Sequence, residues 1–169
     1  MKINHTINID IKDFLLNGKF DLIQTGQTKE WIVNNFLKPV RDAQMGNNLS
    51  ICTFSTIEFH FDGDKLYLIW CDNLSIRSNK YLKFDKWILK NLAKLTFRYV
   101  TAILNNEKAN YTVKFDKQLQ NVVLKIKNSS VCLWFENIND DKIDDPNGYK
   151  LVAFGLSDKE YDTFEIDFN

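Results

Sequence analysis

The sequence contains few residues that break regular structure. Of its 169 residues, only two are proline and six are glycine, so long flexible linkers are not expected. A hydrophobic content of 44%, with 13 Phe and four Trp, excludes a disordered chain and is enough for a real core. At this length, one compact domain and two small fused units are both reasonable.

Residues that bind metals or form disulfides are also scarce. The histidines are His5 and His60, and the three cysteines, Cys52, Cys71 and Cys132, form no CxxC pair. No ligand cluster has the spacing of a zinc site. An odd number of cysteines in apolar, strand-like runs predicts buried thiols in a reducing compartment.

No export or membrane segment is visible. The opening MKINHTINIDIKDF has neither an apolar h-region nor a small-residue cleavage site. The longest apolar run, Leu66 to Cys71, is far too short to cross a bilayer. We therefore expect a cytoplasmic protein without membrane contact.

Signatures of catalysis are missing as well. The glycines are scattered, and no phosphate loop, GxSxG or HExxH occurs. His60 alternates with Glu58, and such a pair can in principle exchange protons. A Cys132–His60 dyad is also conceivable, but no third group can be named to orient it. An outward-facing polar position on a sheet is the simpler interpretation of His60, so we expect no enzyme and no cofactor.

The net charge is zero but unevenly placed. Residues 1–135 carry 19 Lys/Arg and 12 Asp/Glu, whereas residues 136–169 carry 3 and 10. The acidic loop Asn137 to Tyr149 contains Asp140, Asp141, Asp144 and Asp145, without the spacing of a calcium-binding EF-hand loop. Such asymmetry indicates internal docking or a charged partner.

The basic residues Lys86, Lys90 and Lys94 recur every four positions and share one face of a predicted helix. They invite a nucleic-acid interpretation. Two features argue against nucleic acid as a partner. The total charge is balanced, and the acidic tail from Ser157 to Asn169 can dock on this face.

The chain is organised around a β-hairpin, TIEFHFDGDKLYLIW, from Thr56 to Trp70. Ile57, Phe59 and Phe61 alternate with polar residues, which is typical of a half-buried strand. Gly63 tolerates positive φ and therefore suits a tight turn. The hairpin predicts a sheet with one packed face and one wet face.

The remaining elements follow from caps and periodicity. Asp10, Thr28 and Asp85 are predicted N-caps, Thr96 starts a helix, Gly18 is a helix stop, and the segment from Asp42 to Asn48 is a predicted loop. The predicted helices are Ile11–Asn17, one from Thr28, Lys86–Lys94, and one from Thr96 to about Asn106; the predicted strands are Leu49–Phe54, Ile57–Phe61, Lys65–Cys71, Tyr111–Phe115, Val122–Lys127, Val131–Phe135 and Lys150–Leu156.

Two stretches of the chain resemble each other. Thr28-x-x-Trp31-Ile32-x-x-x-Phe36 matches Thr96-x-x-Tyr99-Val100-x-x-x-Leu104, and a hairpin follows each stretch. We therefore predict an α+β fold of two tandem helix–helix–antiparallel-strand repeats, residues 1–76 and 77–169. The two repeats would form one sheet with helices packed on one face, in one compact unit.

Thr28-x-x-Trp31-Ile32, followed by the hairpin IEFHFDGDKLYLI, resembles small bacterial immunity-type proteins found beside polymorphic toxins. The tandem plan is similar to the β-lactamase-inhibitor-protein-like fold, which a family of small lipoproteins shares. Unlike secreted members, this chain has no signal, no lipobox cysteine and no even disulfide set, which favours a cytosolic inhibitor. The resemblance implies stoichiometric blocking of a cognate toxin; a basic nuclease would suit the acidic loop.

The alternation of the strands also predicts which residues bind the partner. Residues pointing away from the helices would form an aromatic and acidic patch, a composition typical of interface hot spots. The predicted partner-binding residues are Glu58, His60, Tyr67, Trp70, Trp134, Glu136, Asp140, Asp141, Asp144 and Asp145. The alternative is a structural or regulatory homo-oligomer that uses the same face, so a monomer and a homodimer both stay open.

Overall fold

A computed structural model describes residues 6–36, 38–139 and 145–157. They form a mixed α+β fold with one eight-stranded antiparallel sheet and a two-stranded parallel ribbon. The helices are α1 (Ile11–Asn17), α2 (Lys29–Asn35) and α3 (Phe97–Asn106). The strands are β1 (Ile7–Asp10), β2 (Arg41–Gly46), β3 (Leu49–Phe54), β4 (Ile57–Asp62), β5 (Lys65–Cys71), β6 (Leu82–Asp85), β7 (Tyr111–Asp116), β8 (Asn121–Ile126), β9 (Val131–Glu136) and β10 (Lys150–Ser157).

Side-chain caps start all three helices where the sequence predicted them. The Asp10 carboxylate accepts two backbone N–H bonds, of 2.8 and 3.1 Å, at the start of α1. The Thr28 and Thr96 hydroxyls each accept one of 3.2 Å at the starts of α2 and α3. These bonds satisfy donors that the first helical turn leaves unpaired.

In the described part of the chain, no helix is long and apolar enough to cross a membrane.

The large sheet has the strand order β2-β3-β4-β5-β10-β9-β8-β7. Each four-strand half is a meander that follows one helix in the chain, α2 before β2–β5 and α3 before β7–β10. The halves meet where β5 pairs with β10. The predicted hairpin is confirmed as β4–β5, and Gly63 adopts a φ of +58° in its turn.

The main core lies between the sheet and the helices. Helix α1 places Phe14 with its ring centroid 5.9 Å from that of Phe154. Phe36, directly after α2, lies 5.7 Å from Phe59. Because the core side chains of β4 and β9 alternate with the others along each strand, the sheet has a second side turned away from the helices, which we call the outer face.

Two predicted elements are wrong. The segment expected to be a loop from Asp42 to Asn48 contributes strand β2, which pairs with β3 at the edge of the sheet. Its sequence, RDAQMG, has only two apolar side chains, Ala43 and Met45, and little of this edge strand is buried. Backbone pairing therefore forms the strand with only a weak hydrophobic signal.

The predicted helix Lys86–Lys94 is instead two short 3₁₀ helices, Trp87–Lys90 and Leu92–Lys94. Trp87 has a φ of +41° and Asn91 adopts extended backbone angles, so continuous α-helical hydrogen bonding is interrupted. The strand before them, β6, pairs in parallel with β1. Consequently the helix–helix arrangement expected in both halves is found, among the described residues, only in the first.

All three cysteines are buried and none forms a disulfide, as the sequence predicted. Burial raises the pKa of the Cys71 thiol to about 12, from an ordinary value of 9.0, although a backbone hydrogen bond at Asn73 lowers this pKa in part. Burial also raises the pKa of Cys52, where the nearby Lys29 ammonium lowers it in part.

The Cys71 thiol should make stability depend on alkaline pH. Its raised pKa means that the folded state keeps a proton that the unfolded state loses above pH 9.0. The free energy of unfolding should therefore be unaffected by this group below pH 9 and fall by about 1.4 kcal/mol per pH unit above it, up to about pH 12. Denaturant titrations at several pH values test this. If the free energy of unfolding of Cys71→Ala fell as steeply with pH as that of wild type, the prediction would be contradicted.

Candidate functional site: an indole pair on the outer face

Two tryptophans from opposite halves of the chain meet on the outer face. Trp70 of β5 and Trp134 of β9 have ring centroids 4.8 Å apart and ring planes at 64°. Both side chains are half-buried. The strand between them is β10, so the pair spans the junction of the two halves of the sheet.

Small residues on β10 allow this approach. Gly155 lies opposite Trp70, and Ala153 lies opposite Trp134. A Cβ atom added at Gly155 would lie 2.8 Å from Cε3 of Trp70 and 3.0 Å from the Ile69 carbonyl oxygen. The missing side chain therefore provides the space that the Trp70 ring occupies.

A polar cluster flanks the indole pair on β4 and β5. Glu58 lies directly opposite Trp70. Its carboxylate lies 2.9 Å from Nε2 of His60, an ion pair when the imidazole is protonated. The His60 ring is 6.2 Å from that of Tyr67, and burial, followed by the Asp62 carboxylate, raises the pKa of this tyrosine. The Glu58 carboxylate is thereby held beside His60.

The outer face also has an apolar centre. Four buried residues stand outside the main core cluster, and their register places them on the outer face: Leu68, Val123, Cys132 and Ala153. Val123 and Ala153 flank Trp134 on either side. These four side chains are buried, so the surface itself consists of the half-buried aromatic residues and the charged residues around them, a composition typical of a protein-binding surface.

A depression of about 300 Å³ lies beside the indole pair. It is lined by Trp70, Asp72, Trp134, Glu136, Val152 and Ala153. Asp72 directly follows β5, and Glu136 ends β9, so two carboxylates remote in sequence share one rim. Within the described ranges, no group of three or more His, Cys, Asp or Glu side chains is arranged to hold a metal ion.

The structure brings six of the predicted partner-binding residues together on the outer face: Glu58, His60, Tyr67, Trp70, Trp134 and Glu136. Asp145 is exposed. The Asp145 carboxylate accepts a 3.0 Å bond from the Asn147 backbone N–H and caps the 3₁₀ helix Pro146–Gly148, which contacts α3. Asp140, Asp141 and Asp144 lie outside the described residues.

The conceivable Cys132–His60 dyad is not formed. His60 is on β4 and Cys132 is on β9, with β5 and β10 between them. Three inter-strand spacings put the two backbones about 14 Å apart. The Cys132 side chain is also fully buried. The pair therefore cannot share a proton directly.

Sequence reasoning missed Asp72 and Gly155. Asp72 lies directly after the predicted strand Lys65–Cys71, and nothing local marks it. Gly155 did carry a signal, because an isolated glycine inside a strand pattern indicates a close approach by another group. Its partner, Trp70, is set by the pairing of β5 with β10, which no local pattern encodes.

Replacing Gly155 with alanine should disturb the indole pair. The new Cβ would collide with the Trp70 ring and the Ile69 carbonyl. We expect the free energy of unfolding to fall by about 1–3 kcal/mol and the tryptophan fluorescence to change. Gly148→Ala is the matched control, since no atom lies within 4 Å of the added Cβ there. Equal stability of the two variants would refute this packing.

Comparison with known proteins adds little to this site. No family model matches the chain, and no curated protein matches it. The chain is similar to a solved extracellular protein containing an SCP domain from Bacillus anthracis str. Ames, with 11% identity and a TM-score of 0.38. The match covers 86% of this chain and 49% of that one, so this chain spans about half its length. A similarity this low supports no conclusion about fold or function.

Proposed function

We propose that this chain is an immunity-type inhibitor, which binds a cognate protein toxin through its outer face and blocks it stoichiometrically. The observation that carries the proposal is the indole pair, Trp70 and Trp134, set 4.8 Å apart on the side of the sheet away from the helices. The inhibitor works by contact and requires neither catalysis nor a cofactor.

Tryptophan is the residue type most enriched among binding hot spots, because its ring buries a large area at a small cost in conformational entropy. Here two tryptophans stand over small residues of β10, and Glu58 lies opposite one of them. The sheet backbone fixes their positions in advance. A partner would therefore meet a preorganised surface, which reduces the ordering cost of association.

A tandem duplication would explain why the indole pair lies at the middle of the sheet. The strand order is symmetric about the β5–β10 pair. Thr28 caps α2 and bridges to Lys65 at the start of β5, while Thr96 caps α3 and bridges to Lys150 at the start of β10. We propose that residues 1–76 and 77–169 are diverged copies of one unit, in which the second copy has lost an α-helix.

The compartment is part of the same proposal. Three buried cysteines without a disulfide suit a reducing environment. We place the inhibitor in the cytoplasm of the toxin-producing bacterium, where it would protect that cell during contact-dependent inhibition. A basic nuclease is the proposed kind of toxin, because outer-face carboxylates would attract a positively charged domain.

The function is tested by co-expression. The toxin domain is taken from the gene next to this one, and growth of a bacterial host is measured with and without this chain. Wild type should restore growth, and Trp70→Ala/Trp134→Ala should not. The two proteins should be present in the cell in equal amounts. A neighbouring gene without a toxin domain, or protection that survives the double substitution, would overturn the proposal.

A homo-oligomer is the second candidate, because the half-buried indoles of the outer face can also contact a second copy. Light scattering separates the two candidates. A monomer whose mass rises by the mass of one toxin domain, and only when that domain is added, supports the inhibitor. A stable dimer that Trp70→Ala/Trp134→Ala dissociates supports the homo-oligomer.

A further inference from the structure

We propose that the depression beside the indole pair binds one arginine side chain of the partner protein. This inference rests on the proposed function, because it names the chemical group by which the outer face would hold the toxin. The site consists of Trp70 and Trp134, the carboxylates of Asp72 and Glu136, and the side chains of Val152 and Ala153.

The two indoles supply an attraction for a cation. An indole face carries negative electrostatic potential and is the best aromatic partner for a cation within about 6 Å of the ring centroid. Trp70 and Trp134 are inclined at 64°, so they form two walls of one depression rather than a flat stack. A planar guanidinium can lie against one ring while its edge stays available for hydrogen bonds.

Two acidic residues line the same depression as the indoles. They are Asp72 and Glu136, and both are exposed. Lys150, which lies opposite Glu136 in the ladder, forms no ion pair among those of the described residues, and its ammonium donates to the Ala93 carbonyl at 2.7 Å. The rim therefore complements a positively charged group.

The size and the floor of the depression favour a side chain over a larger ligand. Its volume of about 300 Å³ is at the lower limit for a small-molecule site. Val152 and Ala153 offer apolar contact to the methylene stem of a basic residue. Arginine is preferred to lysine because its guanidinium both stacks on an aromatic ring and binds carboxylates through two parallel hydrogen bonds.

The test uses N-acetyl-arginine methylamide, with the citrulline analogue as a neutral isostere and the lysine analogue as a second cation. Nitrogen-15 NMR follows the indole N–H signals of all four tryptophans. The arginine probe should shift the signals of Trp70 and Trp134 saturably and leave those of Trp31 and Trp87 unchanged. The citrulline probe should produce no saturable shift, and the lysine probe should bind more weakly.

The carboxylates are tested by Asp72→Asn/Glu136→Gln, which should weaken arginine binding at least about tenfold. Asp62→Asn/Glu107→Gln removes the same charge elsewhere and should bind as wild type does. The site is overturned if citrulline and arginine act alike, if neither acts, or if both double variants lose affinity equally. A lysine probe that binds as tightly as arginine would overturn the preference for arginine.

Failure of this site and failure of the proposed function give different results. Suppose the arginine probe binds, but the toxin domain forms no complex that depends on Trp70 and Trp134; then the function fails and the site stands. Suppose instead that the toxin domain needs both tryptophans but binds Asp72→Asn/Glu136→Gln as tightly as wild type; then the arginine site fails and the function stands.

Discussion

Phe59→Ala should lower the free energy of unfolding by about 3–5 kcal/mol. The Phe59 ring is fully buried and lies within 5.7 Å of three other rings, those of Phe20, Phe36 and Phe54. Removing it leaves a cavity that rigid neighbours on a sheet cannot fill. Chemical denaturation monitored by circular dichroism gives the value directly.

The control for this prediction is Phe115→Ala. Phe115 lies on the edge strand β7, is only half-buried, and has its ring 5.9 Å from that of Tyr149. Phe115→Ala should lower the free energy of unfolding by about 1–2 kcal/mol, clearly less than Phe59→Ala does. Equal costs for the two variants would contradict a core centred on the aromatic residues between β4 and the helices.

Trp70→Ala/Trp134→Ala should weaken binding of the toxin domain by at least about 2 kcal/mol, roughly 30-fold. Each ring presents a preorganised aromatic surface on the outer face. The double substitution removes both surfaces, and with them both contacts to the toxin domain. Isothermal titration calorimetry should show a one-to-one complex for wild type and a large loss of affinity for the variant.

Trp31→Ala makes the same chemical change on the other side of the sheet. Trp31 lies on α2 and is 38% exposed, so its removal should leave affinity unchanged. If Trp31→Ala lost as much affinity as the double variant, the effect would reflect a general change in the protein. If the double variant bound like wild type, the indole pair would have no part in binding.

Local patterns predicted the elements whose stability depends on near neighbours in sequence. Asp10, Thr28 and Thr96 were predictable caps because a capping side chain bonds within its own helical turn. The β4–β5 hairpin was predictable because Gly63 and the flanking alternation act together. The alternation also placed Glu58, His60 and Trp134 on the outer face correctly, since side chains in a strand point to alternate sides.

Features that depend on distant pairing could not be predicted in the same way. Strand β2 has only a weak apolar pattern, and ladder hydrogen bonds at the sheet edge stabilise it. The insertion of β10 between β5 and β9 brings Trp70 to Trp134, and it adds Asp72 to the rim. The charge of Asp145 was visible in the sequence, whereas its cap of the 3₁₀ helix Pro146–Gly148 was not.

The most direct measurement is a structure of this chain in complex with the toxin domain encoded beside it. The account predicts that toxin atoms contact both Trp70 and Trp134, and that the helix layer stays outside the interface. A toxin seated on the helices, with both indoles beyond contact distance, would contradict the central claim.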